Sequence, residues 1–312
     1  MSRIRGVDQR CEVAWLNAAV RGDAAALVER MERQYRAQTE TVAQALADTL
    51  EGLRFVMLCG PSSAGKTTTT RLLCEALGRR AVNAVMISLD DFYRPSEEIP
   101  LQDDGTPDFE APEAIDVPRL HACARELVQT GHTLLPRYDF AAHAPCEETV
   151  PLTVFGDTVV ILEGVHAFAP SVTAGLEQEG IAPIKVYINT MSRFTEDGRA
   201  LLGRRDLRLT RRLLRDERTR ATSFYQTMTM WDDVIRGLTT YILPYAASAD
   251  YTVDTTIGYE PSVMAAPMRA RLPSLFGTEY EARARQLYEA YGRFEPLPLS
   301  AVPSGSLLRE FL

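Results

Sequence analysis

Residues 60–70 read GPSSAGKTTTT and fit the spacing G-x-x-x-x-G-K-[ST] with Gly60, Gly65, Lys66 and Thr67. A run of this kind does one kind of chemistry well, which is to wrap phosphate groups. Its glycines let the backbone turn successive N–H groups inward, so Ser62, Ser63 and Ala64 contribute main chain, and a helix beginning near Lys66 adds its positive end. Lys66 then reaches the outer phosphates, Thr67 offers a hydroxyl to Mg²⁺, and Thr68 follows in the same turn. Of 34 basic residues only Lys66 and Lys185 are lysines, so a chain that otherwise uses arginine keeps a lysine here. The plainer alternative is an ordinary Gly/Ser turn before a helix.

Three further groups extend this chemistry. SLDDFYR (88–94) carries Asp90 and Asp91; a carboxylate there can take the proton from an attacking hydroxyl, and a helix cap or loop turn is an equal alternative. VVILEGV ends an apolar run with Glu163, the pattern of a strand that brings one acid to Mg²⁺. Between 204 and 220, RRDLRLTRRLLRDERTR sets eight arginines against three acids in a chain of net charge -8. A basic helix in an acidic phosphate-binding protein suits a lid that stabilises charge on a phosphoryl group in transfer, against the usual fate of such a run as a solvated face. Tyr138 and His143 lie in PRYDFAAHAP, where they can meet a planar ligand or simply pack. His121, His132 and His166 show no metal spacing and receive no role.

The elements that must position these groups alternate. LRFVMLCG (53–60) is a near-continuous apolar run, as a parallel strand buried on both faces requires. AVMISL (84–89), TVVILEGV (158–165), IKVYIN (184–189) and DYTVDT (250–255) read as further strands. TTTTRLLCEALGRR reads as a helix ending near Gly78, and the spacing from Asp23 to about Thr49 predicts a long packing helix with Asp23 as its N-cap. Strands alternating with helices predict an α/β fold with a doubly wound, mainly parallel sheet. RPSEEIPLQDDGTPDFEAPE (94–113) is expected to be a long loop over the sheet edge, and TEYEARARQLYEAYGRF a helical piece near the end. The expected organisation is a helical extension over 1–52, a phosphate-loop domain over 53–258, and a second helical extension over 259–312 packed on it.

Charge and composition narrow the partners. A net charge of -8 argues against nucleic-acid binding through a broad basic face. No stretch reaches the length of a membrane span and no apolar leader follows MSRIRGVDQR, so the expected compartment is the cytoplasm with no membrane partner. Five cysteines without paired spacing are expected to be reduced fillers. A small molecule with a hydroxyl group is the expected partner, and a homo-oligomer is left open.

Taken in order, the motifs resemble the uridine kinase and phosphoribulokinase family of phosphate-loop kinases over about residues 53–258. SLDDFYR is similar to the family's S-x-D-S-F-Y-R, DFEAPEAID to N-F-D-x-P-x-A-x-D, and PRYDFAAH to P-x-Y-D-F-x-x-H. ILEGVHAF is similar to F-E-G-I-x-A-F, and RLTRRLLRD to R-L-x-R-R-x-x-R-D. The terminal VPSGSLLREFL resembles a bacterial branch of uridine-kinase-like proteins. The resemblance implies ATP and Mg²⁺, with Asp90 as the base and Asp91 in place of the family's serine. It implies that Tyr93, Glu110, Tyr138 and His143 surround the acceptor, that Thr67 and Glu163 serve the metal, and that Arg212, Arg215 and Arg220 form the lid, with Arg212 also reaching the acceptor and Arg220 the nucleotide. Thr222 and Met230 stand where uridine kinases have an arginine and a glutamine that contact the base. The expected acceptor is therefore nucleoside-like without a settled preference for pyrimidines. A sugar or sugar-phosphate kinase on the same scaffold, or a nucleotide-binding regulator without transfer, are the rival readings.

Overall fold

A computed structural model describes residues 10–140 and 142–312. Five parallel strands form the central sheet: β1 (Leu53–Cys59), β2 (Asn83–Ser88), β3 (Thr158–Gly164), β4 (Ile184–Asn189) and β5 (Tyr251–Asp254), in the order β5-β4-β1-β3-β2. Each falls on one of the apolar runs predicted as a strand. The alternation of β1 explains why its run is unbroken: Phe55, Met57 and Cys59 enter one core cluster, Val56 and Leu58 the other, so both faces are covered. Register sets Cys59 opposite Gly164 and Ser88 opposite Glu163, which gathers the carboxyl ends of β1, β2 and β3 at one edge. That edge is where open α/β sheets take ligands.

Helix α1 (Val13–Asp48) and helix α2 (Lys66–Gly78) lie on the Val56 side, and α3 (Val117–Thr130) and α4 (Pro170–Gln178) on the Phe55 side. The N-terminal helix begins eleven residues earlier than the cap signal predicts, with Glu12 and not Asp23 as its N-cap. Asp23 does accept from the Ala26 N–H at 2.9 Å, but it caps a restart: its own backbone (φ -143°, ψ 88°) breaks a helix already running from Val13. Val13, Leu16 and Val20 are buried in the same core, and that packing holds the first segment in line. The expected loop over 94–113 is a loop with two short 3₁₀ turns, Ser96–Glu98 and Pro112–Ala114.

Helix α5 (Arg204–Arg220) spans the arginine-rich run, and a helix over Glu281–Tyr291 matches the last helical prediction. A further helix, Glu260–Arg271, precedes it. Both C-terminal helices join α1, α2 and α5 in one apolar cluster, together with Leu307, Leu308 and Phe311. Small ladders lie outside the main sheet, among them Arg10–Glu12 beside Arg193–Glu196. All five cysteines are free. Among the described residues no helix is long and apolar enough to cross a membrane.

Candidate active site

The loop between β1 and α2 is held by steric limits that the sequence states only as glycine. A Cβ on Gly60 would come within 2.5 Å of the Ile188 carbonyl oxygen, so only glycine lets the loop leave β1 so close to β4. Gly65 has φ +86° and serves as the N-cap of α2, which makes Lys66 the first helical residue. Ser63 also adopts a positive φ of 60° and is buried. The Thr69 hydroxyl donates to the Gly65 carbonyl at 2.6 Å and meets the Tyr35 hydroxyl at 2.7 Å, tying the loop's exit to α1. The result is a run of main chain ending on a helix N-terminus, an arrangement that receives anions.

This loop forms one wall of a cleft of about 540 Å³. Lys66, Thr67 and Thr68 face it from α2, Asp90 and Tyr93 from the segment after β2, Glu163 from the end of β3, and Arg212, Arg215 and Arg220 from α5. Glu110 and Phe140 also line it, and Glu310 enters from the C-terminal segment. Ser62, Ser63 and Gly65 also line the cleft. Of the residues that sequence reasoning assigned to the site, Gly60, Ala64, Tyr138 and His143 do not line it. Gly60 and Ala64 shape the loop from behind. Tyr138 packs its ring 5.6 Å from Tyr93 and 5.0 Å from Phe140, and His143 lies 5.8 Å from Phe109. They support an aromatic wall whose cleft-facing members are Tyr93 and Phe140.

The two aspartates separate. Asp90 lines the cleft and Asp91 does not; burial raises the Asp91 carboxyl, against the pull of the Tyr138 backbone N–H and the Arg137 charge. Ser88 begins this turn, accepting from the Asp90 N–H at 3.3 Å, so the end of β2 fixes the acid's backbone. Glu163 accepts from Thr67 at 3.4 Å and from Ser88 at 3.2 Å. Burial pushes its carboxyl up to about 7, with Lys66 opposing and Asp90 adding to the rise. Burial likewise raises Glu110, against the pull of Arg212 and Lys66. The Thr67 hydroxyl and Glu163 carboxylate, adjacent and both oxygen donors, fit a small hard cation that keeps most of its ligands as water or phosphate.

Helix α5 is no solvated face. Arg208, Arg211 and Arg212 are buried. Arg211 pairs with Glu260 at 2.6 Å, both side chains fully enclosed, and also donates to the Thr255 carbonyl at 2.7 Å. Arg212 donates to the Ser62 hydroxyl at 2.8 Å, and Arg208 to the Ser62 carbonyl at 3.3 Å, so the helix clasps the phosphate loop. Asp216, itself buried, gathers Arg212, Arg215 and Arg220 at 3.3, 2.8 and 3.6 Å. One anion thus holds three cations along the cleft. Thr222 donates to the Arg220 carbonyl, and Met230 is 39% exposed; neither lines the cleft.

Sequence reasoning missed Phe140, Val165 and Glu310, which line the cleft, and gave no role to His166, which is buried and does not line it. His166 follows the Glu163 strand by two residues, is enclosed, and finds no hydrogen-bond partner for either ring nitrogen, and burial lowers it to about 4. Phe140 had a signal in its aromatic neighbours; Glu310 had none, because its partner lies 242 positions away.

The profile described as the Phosphoribulokinase / Uridine kinase family matches residues 55–257. The chain is 30% identical over 198 residues to a protein named uridine-cytidine kinase B of Dictyostelium discoideum, covering 62% of this chain and 71% of that one. It is 38% identical over 117 residues to a uridine kinase of Schizosaccharomyces pombe, covering 37% of this chain and only 25% of that longer relative. A solved structure described as a possible uridine kinase from Bacillus stearothermophilus aligns over 71% of this chain and all of its own length, at 16% identity and a TM-score of 0.45.

Proposed function

The chain belongs to the phosphoribulokinase/uridine kinase family and is a kinase of that family, and from this premise we propose that it transfers the γ-phosphoryl group of ATP, with Mg²⁺, to a hydroxyl of an uncharged, nucleoside-like molecule. The observation that carries the reading is that one cleft brings a main-chain cradle, Lys66 and three arginines together with Asp90, Glu110 and the aromatic residues Tyr93 and Phe140.

Phosphoryl transfer asks the protein mainly for positioning and charge stabilisation. In this reading the loop N–H groups and Lys66 hold the donor's phosphates. Thr67 and Glu163 would hold Mg²⁺, which supplies charge neutralisation across the phosphate oxygens. Asp90 orients the acceptor hydroxyl and takes its proton as the oxygen attacks. Arg212 and Arg215, fixed by Asp216, meet the negative charge spread over the transferring group. Glu110 accepts hydrogen bonds from the acceptor's other hydroxyls, and Tyr93 and Phe140 offer apolar faces to a planar ring.

Charge favours this acceptor over a sugar phosphate. A second phosphate would need cations beyond Lys66, Arg212 and Arg215, which in this reading meet the donor's phosphates, and nearby Arg236 is held by Asp108 at 3.0 Å. Pyrimidine recognition has no support from Thr222 or Met230. The test is ADP release with a panel of nucleosides, free sugars and sugar phosphates. A nucleoside other than uridine or cytidine should give the highest kcat/KM, above about 10⁴ M⁻¹s⁻¹. A sugar phosphate at the top of the panel would overturn the acceptor class, and ATP binding without transfer to any member would favour a regulatory protein.

A further inference from the structure

The six residues Leu307–Leu312 form a strap across the phosphate loop. Ser306 caps its 3₁₀ turn, accepting from the Leu308 N–H at 3.1 Å. Leu307, Leu308 and Phe311 are fully buried. Leu307 fills the space over Gly65 so closely that a Cβ there would lie 2.5 Å from its Cδ1. The Phe311 ring sits 5.0 Å from the Arg211 guanidinium, and Arg218 donates to the carbonyls of Arg309 and Glu310 at 3.1 and 3.0 Å. These anchors leave Glu310 little freedom. They deliver its carboxylate to the Thr68 hydroxyl at 2.7 Å, in the first turn of α2 and on the wall of the cleft.

That position matters because α2 has no acid of its own in its first turn. The anion at its N-terminal end is supplied by a residue 242 positions further along the chain. A threonine hydroxyl has one proton to donate, so Thr68 can serve Glu310 or a phosphate oxygen but not both. A carboxylate also repels a polyphosphate in a cleft partly closed to water.

We infer that Glu310 is a built-in competitor for the donor site: its carboxylate occupies the Thr68 hydrogen bond that the donor's phosphates need, and donor binding requires that bond to open while the Leu307, Leu308 and Phe311 anchors stay seated. This rests on the loop being the donor-phosphate site. It makes the strap a determinant of donor affinity, set by one side chain and independent of the acceptor.

The experiment is titration calorimetry with Mg-ATP on the full chain, comparing wild type, Glu310→Gln, Glu310→Ala and Lys66→Ala. Glu310→Gln removes charge while keeping shape, so it stays interpretable if the alanine variant misfolds. The expected result is a Kd for Mg-ATP at least threefold lower in Glu310→Gln than in wild type, with binding lost in Lys66→Ala. A smaller fall, no change, or weaker binding in Glu310→Gln overturns the competitor role. If Lys66→Ala still loses binding in that case, the donor-site reading stands alone; if Lys66→Ala binds as wild type does, both fall.

Discussion

Asp90 and Asp91 share a residue type and differ by one position, yet their surroundings assign them different work. Asp90 faces the cleft that Lys66 and Glu163 line, and Asp91 lies outside it, near the Arg137 charge and the Tyr138 N–H. Asp90→Asn should therefore lower kcat by about 10² or more, the range of a lost general base, while Asp91→Asn changes it less than about fivefold. Steady-state kinetics of the two variants with the best acceptor decide this, and the reverse order would show that the general base is one residue further on. Glu163 shows the other use of a buried acid. Burial gives it a proton up to about pH 7, above the 4.5 of an exposed glutamate, so between these values the folded chain without nucleotide binds more protons than the unfolded chain. Unfolding free energy must then fall as pH rises through that window, by up to about 3 kcal/mol in all. Urea unfolding at pH 5 and pH 7 should show Glu163→Gln gaining on the wild type at the higher pH; equal differences at both values would mean that Glu163 titrates normally.

At the scale of elements, α5 combines two jobs that arginine-rich sequence alone does not distinguish. Arg212 and Arg215 serve the cleft, while Arg211 on the same helix is locked to Glu260 inside the core. Glu260→Gln would leave the guanidinium buried without its anion and should cost about 3–5 kcal/mol of stability. Arg211→Met combined with Glu260→Leu should restore most of it, since an apolar pair leaves no unpaired buried charge. Denaturant midpoints test both, and a single variant as stable as wild type would show that the pair is not enclosed in solution. The same helix shows what could be read from the sequence. Its limits, the five strands and the phosphate loop were legible because each rests on local pattern: apolar runs, glycine spacing, helical period. The burial of Arg208 and Arg211 was not, because what encloses Arg211, Thr255, Glu260 and Phe311, lies 44 or more positions away. The segment from Val13 to Gly22 escaped for the opposite reason, a strong local signal at Asp23 that marks a kink instead of a beginning. Phe140 stood in a stretch already singled out, but Tyr138 and His143 drew attention from it.

Across the whole molecule, the phosphate-loop helix is held from both directions of the chain. Tyr35 reaches Thr69 from α1, and Glu310 reaches Thr68 from the strap, while Asn17 accepts from and donates to the backbone at 293–295. These contacts join positions separated by 34, 242 and more than 270 residues. Bringing such distant segments together costs loop entropy before any contact rewards it, and so slows assembly. For a chain made from its N-terminus, the sheet, the loop and the arginine helix exist before the strap has been synthesised. During that interval Gly65 lacks the leucine that covers it, Arg211 lacks the ring beside it, and Thr68 is unengaged. A nascent phosphate loop is therefore an open one, and the strap closes it only at the end of its own synthesis.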